Sequence, residues 1–297
     1  MTTTFKTQSI FQQVQDPDFW RSLNPGLSLA EDWSSSTPSP IDLEPEDLEQ
    51  VLHDLRKDGY FQLDVILPEA EILRMAIGID ELVQQNLPPV FAFVYDEFWR
   101  LRQRITSLLT AILGEGYLQL PDFWAWYLPP SDGYAGWGQH RDRQTKMLCP
   151  DGMPTSLTLW LPLTDATPAN GCMYMIPASQ DPNYPEQLQS TEITNLQSVR
   201  ALPAPAGSIL GWNQNVLHWG GCSSSKAILP RISMAWEFQR GDIPAQRSPM
   251  LSPTSLLTFP QRLTLIGQQI GQYQHMYPLP QALAEIAQAL QHLSPLA

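Results

Sequence analysis

Between Tyr117 and Phe238 the chain is made of short apolar runs crowded with aromatic residues: DFWAWYL, SLTLWLPL, CMYMIP, SILGW and RISMAWEF, with Pro, Gly and Asn between them. Runs this short are poor helices. Their β-branched and aromatic content and their turn-forming boundaries predict strands. Several such strands in succession make an all-β core of the sandwich or barrel kind. This stretch constrains the fold more than any other.

The flanks read differently. Residues 1–40 form a polar arm ending in SSSTPSP, with Phe5, Phe11, Phe19 and Trp20 available to pin it to the body. Residues 41–116 are helical in pattern. In EPEDLEQVLHDLRKDG, Leu48, Val51, Leu52 and Leu55 recur at helical spacing, Pro45 and acids fill the first turn, and Gly59 stands where the helix would stop. YFQLDVIL then predicts a strand. A second helix begins at Pro68, and a third runs from about Tyr95 to Leu113. Residues 117–240 hold the β core, and helical pattern returns in 241–297. There Leu283, Ile286, Leu290 and Leu293 mark an apolar stripe that suits either a cap on the pocket or a homodimer surface. The simplest organisation is a single domain, one mainly β core with flanking helices.

Charge narrows the partners. The net charge of −13 disfavours nucleic acid, which needs clustered Lys and Arg against phosphate, and disfavours docking on an anionic membrane. No stretch has the length of apolar residues needed to span a bilayer, and the N-terminal residues lack the apolar centre of a signal peptide. Cys149, Cys172 and Cys222 form no CxxC pair and predict reduced thiols. These features predict a cytoplasmic protein.

The chemistry concentrates at GQHRDRQ. Alternate residues of an extended chain point the same way, so His140 and Asp142 aim an imidazole and a carboxylate at one point. A solvated turn is the plain alternative. The kinase motif His-Arg-Asp is excluded by context, because no Gly-rich loop precedes it and no Asp-Phe-Gly follows. His218, at the end of GSILGWNQNVLHWGG, supplies a third ligand from a separate strand. Two histidines and a carboxylate on one face of a metal make the facial triad of non-haem iron(II) oxygenases, which leaves positions open for a chelating cosubstrate and O2. Zinc would more often fill four positions in a structural site or take three ligands in a tetrahedral catalytic one. In PRISMAWEF, Arg231 and Ser233 again stand two apart. If that strand lies beside the His218 strand, the guanidinium can grip the far carboxylate of 2-oxoglutarate, with Ser233 assisting. Without the triad, Arg231 reads as a structural ion-pair partner. His53, His275 and His292 read as surface or packing residues.

With these residues placed, the sequence from about 45 to 240 resembles the phytanoyl-CoA dioxygenase family. The carriers are LEPEDLEQVLHDLRKDGYFQLDVILPEAEI, GQHRD, LTLWLPLTDATPANGCMYMIPASQ, GSILGWNQNVLHWGG and PRISMAWEF. The resemblance implies a double-stranded β-helix (jelly roll, cupin-like) with His140, Asp142 and His218 as iron(II) ligands and Arg231 as the 2-oxoglutarate anchor. It aligns Trp160 with a tryptophan that walls the cosubstrate site, brings in Gln139 beside the triad, and offers Thr158 as a partner of the anchor. It implies that O2 and 2-oxoglutarate are consumed to give succinate and CO2 while an unactivated C–H bond is oxidised, by hydroxylation or desaturation. Asp142 is intact where the related halogenases carry a small residue, which favours hydroxylation. The chain departs from the family at Ala178-Ser179-Gln180 and at Trp219-Gly220-Gly221 after the distal histidine, where bulky Trp219 would reshape the pocket.

The substrate is read more coarsely. Trp124, Trp126, Trp137, Trp160, Trp212, Trp219 and Trp236 are mostly core, and those near the triad suit a small apolar or aromatic substrate. Arg141, Arg143 and Lys146 are either a solvated loop or a grip on an anionic group. The acidic whole makes a CoA thioester less attractive than a small free molecule. Two rival readings remain: a non-catalytic jelly-roll binding protein, and a cupin-type metalloenzyme that does not use 2-oxoglutarate.

Overall fold

The aromatic-rich runs pair as strands in the computed structural model, which describes residues 10–29, 38–254 and 257–296. Phe5 and the serine run up to Thr37 lie outside these residues. The strands are β1 (Tyr60–Leu63), β2 (Leu118–Leu128), β3 (Ser156–Pro162), β4 (Met173–Ile176), β5 (Arg200–Leu202), β6 (Ile209–Asn213), β7 (Leu217–Gly220) and β8 (Arg231–Gln239). They form a five-stranded sheet in the order β1-β6-β3-β8-β2 and a three-stranded sheet in the order β5-β4-β7. All these pairings are antiparallel. The two sheets face one another as a jelly roll.

Every residue of β3, β6 and β8 is buried, so these strands are covered on both faces. Alternation sorts their side chains into two cores. Leu157, Leu159 and Leu161 of β3 join Ile232, Met234, Trp236 and Phe238 of β8 in the core beneath the helices. Trp160, Leu210, Trp212 and Ala235 face Met173 and Met175 of the smaller sheet. The interior between the sheets therefore receives Thr158 and Trp160 from β3 and the series Arg231, Ser233, Ala235, Glu237 from β8.

The helices are α1 (Pro17–Leu23), α2 (Pro45–Lys57), α3 (Glu69–Gln84), α4 (Glu97–Arg104), α5 (Thr106–Leu113), α6 (Phe259–Tyr273) and α7 (Gln281–Leu290). Trp20 of the arm is fully buried and stacks on Phe91 at 5.5 Å, pinning α1 as expected. Gly59 follows α2 with φ +77°. A Cβ there would lie 2.6 Å from Val216 Cγ2, and its carbonyl accepts from Asn213 N at 2.9 Å, so this glycine lets α2 end against the turn before His218.

Three expectations are corrected. The single helix from Tyr95 to Leu113 is two, broken at Ile105 (φ −104°, ψ 18°), where the Thr106 hydroxyl bonds back to the Gln103 carbonyl at 3.0 Å. Two β-branched residues and that competing bond favour the break. β1 is also shorter than YFQLDVIL, because Ile66 and Leu67 donate to Gly207 outside the sheet. Finally, β8 does not lie beside β7: it pairs with β2 and β3, and the strand bearing His218 is in the opposite sheet. Arg231 thus meets the site across the interior. The stripe of α7 is covered within the chain: a Cβ on Gly267 of α6 would touch Ala287 and Leu290, and both Ile286 and Leu290 are buried.

Candidate metal centre

His140 and His218 are drawn together by backbone. Each N–H donates to the other's carbonyl at 3.0 Å, a hydrogen-bonded antiparallel pair that sits next to the ladder of β7 on β4, where His218 pairs with Met175. The register continues at Arg143 N, which donates to Gln214 O at 2.9 Å. The His-x-Asp segment is thus held extended along β7 and the turn that joins it to β6, and His140 and Asp142 project to the same side. Asn215 staples the loop that follows: its amide donates to the carbonyls of Arg143 (3.0 Å) and Thr145 (2.8 Å), and its oxygen accepts from Met147 N (2.7 Å).

The ligand atoms of His140, Asp142 and His218 all lie within 4.8 Å of one another. Asp142 Oδ1 is 3.4 Å from His140 Nε2 and 3.5 Å from His218 Nε2. His140 Nδ1 bonds the Gly138 carbonyl (2.7 Å) and His218 Nδ1 the Val216 carbonyl (3.0 Å). A carbonyl only accepts, so each Nδ1 carries the proton and each Nε2 keeps its lone pair turned toward Asp142. Electrostatics agree at His218, whereas at His140 burial is outweighed by Asp142 and the Gly138 carbonyl, which raise the pKa. Burial lowers the His218 pKa to about 4, more than the Asp142 charge can restore, so the ring is neutral at physiological pH, as a metal ligand must be. Burial works to raise Asp142, but the two imidazoles and the Thr158 hydroxyl outweigh it and hold the carboxyl well below the usual range. One anionic oxygen and two imidazole nitrogens converging from three positions suit a divalent iron.

A cavity opens from this triad, lined on its far side by Trp160, Gly136, Gly220 and Arg231. Arg231 is fully buried and donates from Nη1 to Ser233 Oγ at 2.7 Å; its Nε has no protein acceptor. Among the described residues no carboxylate pairs with it. Burial lowers its pKa to about 10, so it stays charged. A buried guanidinium with no counter-ion is costly unless an anion arrives. Gly136 packs against Gly220 beside it, where a Cβ on Gly136 would lie 2.7 Å from Gly220 Cα and 3.0 Å from Arg231 Nη2, so a side chain at 136 would crowd this end of the cavity. Trp160 lies under the guanidinium, 5.7 Å from ring centroid to Cζ. The donor set and this cradle fit iron(II) with a chelating dicarboxylate.

Other residues read from sequence fall elsewhere. Gln139 is exposed and donates to the Thr191 carbonyl, and it does not line the cavity. Thr158 serves Asp142 rather than the Arg231 anchor, at 2.7 Å. Trp219 turns away from the cavity and stacks on Tyr174 at 5.7 Å. The basic trio is already paired: Arg141 with Asp181 (2.7 Å), Arg143 with Glu237 (2.6 Å) and Lys146 with Glu186 (3.1 Å). None of the three is therefore left as a free basic grip beside the metal ligands.

Sequence reasoning missed part of the wall. Asp122, Glu237 and Tyr273 line the cavity, and Tyr273, from α6, hydrogen-bonds Asp122. Tyr273 packs on Trp137 at 4.5 Å and Trp124 at 5.2 Å, so α6 closes an aromatic wall with Trp126 and Trp236. No signal in the sequence connects residue 273 to the triad.

Residues 89–232 match the model of the phytanoyl-CoA dioxygenase (PhyH) family. No curated protein matches the chain. Among solved structures, the chain is similar to the epimerase SnoN in complex with Fe3+, alpha-ketoglutarate and nogalamycin RO (20% identity, TM-score 0.52, 72% of this chain and 97% of that one). It is similar to the non-heme alpha-ketoglutarate-dependent carbocyclase SnoK from nogalamycin biosynthesis (15% identity, TM-score 0.52, 73% and 100%). It is also similar to HygX from Streptomyces hygroscopicus with nickel and 2-oxoglutarate bound (12% identity, TM-score 0.52, 69% and 90%). At these identities the structures speak for the jelly-roll fold. No helix among the described residues is long and apolar enough to cross a membrane. Residues 89–232, just under half of the chain, thus form a phytanoyl-CoA dioxygenase (PhyH) domain, and the His140, Asp142 and His218 triad of an iron(II)- and 2-oxoglutarate-dependent oxygenase lies within it.

Proposed function

We propose that this oxygenase hydroxylates an unactivated C–H bond of a small, apolar or aromatic molecule, with His140, Asp142 and His218 as the iron ligands. The observation that carries the reading is the convergence of one carboxylate oxygen and two imidazole nitrogens within 4.8 Å at the head of a cavity that ends in a buried, counter-ion-free arginine. Bound iron(II) supplies O2 activation coupled to decarboxylation of 2-oxoglutarate. The chain's own work is placement. Arg231, steadied by Ser233 and backed by Trp160, takes the far carboxylate of the cosubstrate and so sets which end reaches the triad. Trp124, Trp126, Trp137 and Tyr273 offer apolar faces to the substrate and exclude water from the reacting centre. The names of two similar structures, an epimerase and a carbocyclase, mark other outcomes open to the same scaffold. The intact Asp142 supports oxygen insertion over halide transfer. The paired basic residues around the triad support a small molecule over a CoA thioester. The unpaired thiols Cys149, Cys172 and Cys222 support a cytoplasmic setting.

Anaerobic absorption spectroscopy tests the reading. Iron(II) and then 2-oxoglutarate are added to the metal-free native protein, Asp142→Ala and Arg231→Ala. The expected result is a weak visible charge-transfer band in the native protein, abolished in Asp142→Ala and needing at least roughly tenfold more 2-oxoglutarate in Arg231→Ala, the loss of one bidentate charged contact. Metal binding without a band points to a cupin-type enzyme; no metal binding points to a binding protein.

A further inference from the structure

Asp142 has two carboxylate oxygens, and the structure treats them differently. Oδ1 faces the two histidine Nε2 atoms at 3.4 and 3.5 Å. Oδ2 accepts two hydrogen bonds, from Thr158 Oγ1 at 2.7 Å and from Trp212 Nε1 at 2.9 Å. The direction of both bonds is forced. An indole N–H can only donate. The hydroxyl must donate too, because a metal-ligating carboxylate is ionised and only accepts. Behind it, Gln214 Nε2 lies 3.4 Å from Thr158 Oγ1 and 2.7 Å from Glu237 Oε2. All four groups belong to the interior: Thr158 pairs with Trp212 across β3–β6 and with Glu237 across β3–β8, and Gln214 is fully buried.

We propose that Thr158 and Trp212 are positioning residues that hold Asp142 as a one-oxygen ligand, occupying Oδ2 so that only Oδ1 is presented to the metal. A carboxylate free to turn would offer both oxygens and fill a position the reaction needs open for the cosubstrate or O2. Trp212 has a second share in the geometry, since its ring packs on that of His218 at 4.6 Å. The inference rests on the metal-centre reading above, and the test separates the two.

The experiment uses the full chain and two probes, iron(II) under anaerobic conditions and cobalt(II) as a coloured stand-in. Native protein is compared with Thr158→Val, Thr158→Ser and Trp212→Phe. The dissociation constant is measured by chelator competition, the ligand-field absorption of the cobalt form is recorded, and thermal unfolding of the metal-free proteins is followed by circular dichroism. Loss of a partner that orients a metal ligand typically weakens binding roughly 10- to 100-fold. That loss is expected for Thr158→Val and Trp212→Phe, together with a changed cobalt spectrum as the freed oxygen enters the coordination sphere. Thr158→Ser, which restores the hydroxyl, should return both readouts to native. Variants that bind like native protein, or that lose affinity only in step with a lost metal-free fold and keep the native cobalt spectrum, overturn the proposal alone. A native protein that binds neither ion overturns the metal-centre reading and the proposal with it.

Discussion

Glu237 stands on the interior face of β8, six residues from Arg231, and is largely buried. Burial, with the Asp122 charge adding to it and Arg143 opposing, raises its pKa from the ordinary value near 4.5 to about 8. The folded protein therefore holds a proton that the unfolded chain has already released. Below about pH 4.5 both states carry it and burial of the neutral acid costs little. Between there and about pH 8 the folded state binds more protons, so stability falls as pH rises, by on the order of a few kcal/mol across the window. Glu237→Gln keeps an acceptor for Arg143 without the titration. Its melting temperature should fall less than the native one between about pH 5 and about pH 8; equal slopes would mean that Arg143 keeps the acid ionised throughout. The same residue shows where sequence reading stopped. His140, Asp142, His218 and Arg231 are polar residues at fixed spacing in or beside apolar runs, and each stood out. Trp212 and Thr158 lie inside runs that read as core, which they also are. Their hydrogen bonds depend on strand pairing across some 16 and 70 residues of chain. Arg143 was visible, but its partners Glu237 and Asp122 come from two other strands.

At the level of elements, the strands of the barrel and helix α2 were legible because period and punctuation are local, whereas α1 lay hidden in what read as a polar arm. Which strand neighbours which was not: β7 and β8 follow one another in sequence yet belong to opposite sheets. The role of the stripe on α7 was also hidden, since an apolar face says that it is covered and not by what. Its cover is α6, and the contact is closest at Gly267. A Cβ there would lie 2.6 Å from the Ala287 carbonyl oxygen and 3.0 Å from Gln291 N, both backbone atoms that cannot turn aside. Alanine is intrinsically the better helix former by about 0.5–1 kcal/mol. Overpacking of this kind costs about 1–3 kcal/mol, so the contact wins and Gly267→Ala should be net destabilised. Urea unfolding checks this; a variant as stable as the native protein would show that α7 can shift off α6. Because α6 also brings Tyr273 to the aromatic wall, displacement should be felt in the cavity.

At the level of the molecule, the family match ends at residue 232, yet the C-terminal helices are not an appendage. Arg262 of α6 is 1% exposed and reaches back across the chain, with Nη1 2.6 Å from Asp96 Oδ1 and 2.8 Å from the Val94 carbonyl, and Nε 3.0 Å from the Leu257 carbonyl. Asp96 is itself fully buried at the start of α4. Tyr273, Gln272 and Arg247 converge on Asp122 of β2 in the same way. The helical segments before and after the barrel are thus joined to each other, and to the strand wall, through buried charges. Removing one member of a buried ion pair leaves the other charged and without water, which typically costs about 3–5 kcal/mol. Arg262→Ala should lose stability approaching that size, since it removes the ion-pair partner of Asp96 and also frees two carbonyls. The tie predicts more than a magnitude. If the helices and the barrel share one cooperative structure, tryptophan fluorescence, which reports mainly on the barrel, and far-UV circular dichroism, which reports mainly on the helices, should give coincident urea transitions in the native protein. They should stay coincident at a lower midpoint in Arg262→Ala, because the loss is shared by the whole molecule. Curves that separate, with the helical signal lost first, would instead make the C-terminal segment a unit that docks on an independently stable barrel.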